Sequence, residues 1–382
     1  MKFHHILMFA ANLLAFSSIS SAQGSPKAEN ATASVVRAFD THDVVMFGEI
    51  HGNKQEYEWL RSLIATPEFA DRVDDIVIEF GNSLYQKSVD HYVNGEDVPL
   101  EQVQKAWRNL VGAIGPPSPV YASFYQMVRE TNLTRTGKHQ MRIVCGDPYI
   151  DWEKVKDRQD IAPYLGNRDQ WYTQVVKDEV LAKHHHALLI MGWGHFLRGF
   201  PPGQKTLSIE QQLGSAGART YLIVAGTNTN GGYDDLEHRF DSWSAPVFVS
   251  LAEGWVGELP AMPVLSGGSI PLRPMAPNSG PAASAGSIPP LELKDVADAL
   301  LYLGPRDNLT QVSMPRSELD GTPYGKEMER RLTIEGFPSN FISEKDEAPQ
   351  FSRPQTGGSA PPRLPPPPKN MGAPLPPRPP SQ

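Results

Sequence analysis

Two turns carry the residues best suited to chemistry. Gly48-Glu49-Ile50-His51 and Gly192-Trp193-Gly194-His195 each set an imidazole three residues after a glycine, and the first adds a carboxylate. Two more acids close apolar runs: Glu79 after Ile76-Val77-Ile78, and Asp147 after the run that contains Cys145. Neighbouring carboxylates push their pKa values apart, and an imidazole beside them carries a proton near neutrality. Such a cluster activates a water or a substrate hydroxyl. Glu49, His51 and His195 also match the ligand chemistry of a divalent transition metal. Spacing alone does not choose between these uses. Arg168 and Asp169 open a helix; Asp169 fits a first-turn acid favoured by the helix dipole. Arg168 is a candidate to hold an anionic group bidentately. The candidate site is therefore Glu49, His51, Glu79, His195 and Arg168.

What could gather groups so far apart? Each strand-end acid or histidine follows a short apolar run, over 44–49, 75–80, 141–145 and 187–191, with a fifth run at 221–225. Helical spacing lies between them, as in 53–65, where Tyr57, Leu60 and Ile64 share one face. Alternating strands and helices predict an α/β fold with a mostly parallel central sheet flanked by helices. In such a sheet the carboxyl ends of the strands share one rim, where ligands bind. Residues 83–131 read as a helical insertion after the second strand that roofs the rim. Further helices are expected at 168–183, 208–213, 295–303 and 325–331. Residues 23–34 read as a loose leader and 257–290, rich in Pro, Gly, Ser and Ala, as a flexible loop. The proline-rich segment 346–382 reads as a disordered, extended tail that serves as a spacer or contacts other proteins or the envelope.

The whole chain narrows the function classes. Its 382 residues carry a net charge of −8, against binding nucleic acid through phosphates. Residues 1–22 have the form of a signal peptide: Lys2, an apolar core over 6–16, then Ser20-Ser21-Ala22. That core is too short to span a bilayer. A secreted or periplasmic protein is expected, with one α/β domain over 23–345. The single cysteine, Cys145, reads as a buried inert thiol. The motifs Gly-x-Ser-x-Gly and His-Glu-x-x-His do not occur. Gly192-Trp193-Gly194 has Leu197 where a dinucleotide turn needs its third glycine.

With these residues laid out, the chain resembles the superfamily that joins erythromycin esterases, haem-binding ChaN lipoproteins and Tiki/TraB proteins. Gly48-Glu49-Ile50-His51-Gly52, Glu79, Arg168-Asp169 and Gly192-Trp193-Gly194-His195 carry the resemblance, spread over 43–226. It implies Glu49, His51, Glu79 and His195 as the shared site. Esterase-like members activate water without metal, Tiki-like members are metal-dependent proteases, and ChaN-like members bind haem for iron uptake. No lipid-attachment cysteine follows the signal here, unlike in ChaN. The expectation is an exported hydrolase, esterase- or peptidase-like, acting on a small-molecule or peptide substrate. The alternative is a non-catalytic haem or metal carrier, with His51, His195, Tyr57 or Tyr85 as axial ligand.

Overall fold

Apolar runs that are buried along their whole length need cover on both faces, and parallel strands wrapped by helices supply it. In the computed structural model, Val44–Glu49, Asp75–Asn82 and Ala187–Gly192 are buried at every residue. The structure describes residues 27–111, 117–135, 137–166, 168–199, 207–226, 238–240, 242–265 and 291–337. The expected signal peptide, most of the 257–290 loop and the proline-rich tail lie outside these residues.

Eight strands form one sheet: β1 (Glu29–Asn30), β2 (Val44–Glu49), β3 (Asp75–Asn82), β4 (Arg142–Asp147), β5 (Ala187–Gly192), β6 (Thr220–Gly226), β7 (Val247–Ser250) and β8 (Ala299–Tyr302). Their order is β1-β7-β8-β6-β2-β5-β3-β4. The run from β8 to β4 is parallel, and β7 and β1 add an antiparallel edge. Successive side chains of a strand point to opposite faces. Val45, Phe47, Ile76 and Ile78 accordingly pack on one face, with the helices Lys54–Ile64 and Pro119–Leu133. Val44, Met46, Val77 and Leu189 pack on the other, with the helices Arg168–Glu179 and Ile209–Ser215. The expected insertion after the second strand is helical, ending in Pro119–Leu133, which Pro119 opens and Ser118 caps.

Three sequence expectations change. Residues 295–303 hold no continuous helix: Leu293–Val296 is one turn, and Ala299–Tyr302 is strand β8. Four consecutive buried residues show no period of two, and pairing with β6 and β7 on both sides overrides the local helical spacing. The described part of the expected leader is structured: β1 pairs with β7, and Asn30 caps the helix Ala31–Ala38. Within the expected loop, Ala261–Leu265 is helical, with Val264 and Leu265 buried.

Candidate functional site

Strand order brings the chemistry together. β2, β5, β3 and β4 are neighbours, so Glu49, His195, Glu79 and Asp147 stand along one rim. In the β2–β5 register Glu49 lies opposite Gly192. The two Gly-x-x-His turns are thus adjacent, and their glycines are needed for space. A Cβ on Gly48 would sit 2.9 Å from the Trp193 Cα, and one on Gly192 would sit 2.9 Å from His51 Cε1 and Nε2. Gly52 has φ +77°, which a side chain rarely adopts, and the next residue, Asn53, caps the helix Lys54–Ile64.

Glu49 is buried and serves His51. Its Oε1 lies 2.8 Å from His51 Nδ1, and its Oε2 accepts from the Tyr57 hydroxyl at 2.5 Å. The Tyr121 hydroxyl, from the insertion, is 3.3 Å from both Glu49 Oε1 and His51 Nδ1. Phe80 stacks on the Tyr121 ring at 4.2 Å and 9°. With Nδ1 committed, Nε2 is the ring nitrogen left for chemistry. It faces Glu79 Oε2 at 3.9 Å, beyond hydrogen-bond reach, and the His51 side chain is 57% exposed.

Glu79 is the hub. Its Oε2 accepts from the Gly192 amide at 2.8 Å, and its Oε1 takes Arg168 Nη2 at 3.1 Å and faces His195 Nε2 at 3.3 Å. His195 Nδ1 in turn meets Asp169 Oδ1 at 2.5 Å. Burial alone would raise the Glu79 carboxyl, but His195, His51 and Arg168 outweigh it and hold it well below the usual range. The reverse balance acts on the rings. Desolvation in the crowded rim opposes their charge, yet Glu79 and Glu49 hold His51 up to about 9, and Glu79 and Asp169 hold His195 up to about 10. Water screens part of the pull on the exposed His51 ring. Both imidazoles are therefore cationic near neutrality, around an anionic Glu79.

Arg168 faces inward. Its Nη2 bridges Glu79 and Asp147, the latter at 3.0 Å, and reaches the Tyr172 hydroxyl. Its Nη2 neutralises the protein's own acids, while its buried Nε has no hydrogen-bond partner among the described residues. Asp147 ties the rim to the insertion: Oδ1 also accepts from Tyr172 at 2.9 Å, and Oδ2 accepts from the Val111 amide at 2.9 Å. Burial raises its carboxyl, against the pull of Arg168 and these bonds. Glu56, fully buried, receives the Ile50 amide on both oxygens, at 3.1 and 3.0 Å. Burial and the nearby Glu49 charge push its carboxyl well above the ordinary value, against the Ile50 bond that pins the His51 turn.

Glu49, His51 and Glu79 offer ligand atoms that all lie within 4.8 Å of one another. This trio has Glu79 where the sequence reading had His195, which joins through Glu79. Of the haem-ligand candidates, Tyr57 is buried with its hydroxyl on Glu49, and Tyr85 receives Asn109 Nδ2 at 2.8 Å. Tyr57, Tyr121, Tyr172 and Asp169 were not assigned these roles from sequence. Tyr57 shows there as part of an apolar face and Asp169 as a helix-start acid; no local signal marks Tyr121, 72 residues from Glu49.

No family model matches the chain, and no curated protein matches it. Among solved structures it is similar to a Bacillus cereus protein, with TM-score 0.42 and 11% identity, over 76% of this chain and 97% of that one. The type III effector HopBA1 aligns with TM-score 0.36 and 12% identity, over 54% and 88%. ChaN of Campylobacter jejuni, described with cofacial haem binding, aligns with TM-score 0.31 and 12% identity, over 50% and 85%. At such distances the chemistry has to be argued from the site.

Proposed function

We propose that this chain is a hydrolase in which His51 activates water for attack on an ester or peptide carbonyl. One observation carries the reading: His51 has an exposed side chain with Nδ1 fixed by Glu49 and Nε2 facing Glu79 across 3.9 Å. When the ring gives up a proton, Nδ1–H stays with Glu49, so Nε2 becomes the base. Nε2 takes a proton from water, and the hydroxide adds to the carbonyl carbon. His195, kept cationic by Glu79 and Asp169, protonates the leaving group as the tetrahedral species collapses. Glu79 stands between the two rings, its Oε2 3.9 Å from His51 Nε2 and its Oε1 3.3 Å from His195 Nε2. The test assays esters, lactones and peptides with wild type, His51→Ala and Glu79→Gln. Loss of turnover in both variants is expected, and undiminished hydrolysis in both refutes the proposal.

A metal-assisted form of the same reaction is favoured by the close Glu/His group. Both Glu49 oxygens already accept bonds from His51, Tyr57 and Tyr121, so Glu49 suits an outer partner better than a ligand. His51 Nε2 and Glu79 remain as ligands within mutual reach, His195 lying outside that group, and one imidazole with one carboxylate and water would hold a divalent ion. The ion would supply Lewis-acid activation of the water. Stoichiometric metal in purified protein, lost in His51→Ala, would support this form. The haem-carrier alternative rests on the resemblance, and a haem titration without a Soret shift would end it. Export is proposed from Lys2, the apolar core and Ala22; N-terminal sequencing of the secreted form should begin at Gln23.

A further inference from the structure

The two histidines are held alike by unrelated parts of the chain. Glu49 comes from the same turn as His51, whereas Asp169 lies 26 residues before His195, in the first turn of the helix Arg168–Glu179. In both cases a carboxylate oxygen meets Nδ1, at 2.8 and 2.5 Å, and Nε2 points at Glu79, at 3.9 and 3.3 Å. An acid that served the helix dipole alone would have no need to reach an imidazole on the turn after β5. The His195 ring is further boxed in by Tyr172, edge-on at 5.4 Å, from the same helix as Asp169.

We infer that Asp169 is the positioning residue of the second histidine, holding Nδ1–H of His195 so that Nε2 is presented to Glu79 and the reacting groups. Asp169 acts through His195, as Glu49 acts through His51. Outer carboxylates of this kind fix the ring tautomer, and their loss costs about 10–100-fold in activity or metal affinity. The catalytic consequence rests on the hydrolase reading above, whereas the ring geometry does not.

The test is therefore spectroscopic first. In the full 15N-labelled chain, the His195 Nδ1 proton should appear as a far-downfield resonance, assigned by its loss in His195→Gln. Asp169→Asn, similar in size but uncharged, should move or abolish that resonance while the His51 ring signals stay in place. Where a substrate is turned over, the same variant should lower kcat about 10–100-fold with KM unchanged. An unaltered His195 signal in Asp169→Asn overturns the inference. If that variant does not fold, wild type decides: absence of a downfield proton lost with His195 is also fatal. Neither spectral result depends on finding a substrate, so failure of the hydrolase proposal is read separately.

Discussion

At the scale of single residues, the site works by committing one nitrogen of each imidazole so that the other is available. Tyr57 is the most exacting of the supports, since its hydroxyl sits 2.5 Å from a buried carboxylate. A hydrogen bond to a charged group contributes about 1.5–3 kcal/mol. Tyr57→Phe removes that bond and little else. Turnover should fall about tenfold or more, by the arithmetic of barrier heights, with the far-UV circular dichroism spectrum retained. The pH profile is a second consequence. His51 must lose its proton to act as base, and its neighbours hold it up to about 9. Activity should rise from neutrality toward pH 9, less steeply where solvent screening weakens the carboxylates' pull. Activity that falls between pH 7 and 9 would rule out the base role.

At the scale of elements, the glycines of the two turns set how closely β2 and β5 deliver their histidines. Gly192→Ala places a Cβ 2.9 Å from the His51 ring, which must swing out of line with Glu79. Small misplacements of this kind cost about 100-fold in rate. Gly194 is the control, because a Cβ there meets nothing within 4 Å. Gly194→Ala should retain wild-type turnover while Gly192→Ala loses it, with kcat and melting temperature measured on both. These elements were also the most legible part of the sequence. The buried runs of β2, β3 and β5 announced themselves as apolar runs, and the helix after His51 through the spacing of Tyr57, Leu60 and Ile64. β8 did not, because four buried residues with helix-compatible spacing acquire strand geometry only from neighbours on both sides.

At the scale of the whole molecule, Arg142 on β4 ties the insertion to the opposite face. It bonds Asp90 Oδ1 at 3.0 Å and Glu179 Oε2 at 2.8 Å, and Lys183 reaches the same Glu179 oxygen at 2.9 Å. Burial would raise the Glu179 carboxyl, but Arg142 and Lys183 outweigh it and bring it to about 2. A carboxyl depressed on folding adds stability that is complete above its unfolded value near 4.5 and vanishes as pH falls through about 2. Arg142→Met should cost about 2 kcal/mol near pH 6 after allowance for screening. The gap from wild type should close toward pH 2 in urea melts. A gap independent of pH would mean that the Arg142 stem contributes packing rather than charge.

Local pattern determined the strand-helix alternation and the placement of Glu49, His51 and His195 at or just after strand ends, whereas Glu79, expected to close its strand, lies within β3, which runs on to Asn82. These follow from hydrophobic period and backbone freedom, which act over a few residues. The tertiary structure alone decided which nitrogen each histidine offers, that Arg168 turns inward to Glu79 and Asp147, and that Tyr121 and Asp169 complete the cluster. Those choices depend on strand order and on burial of charge. Partners brought together from 21 to 89 residues away leave no local trace in the sequence.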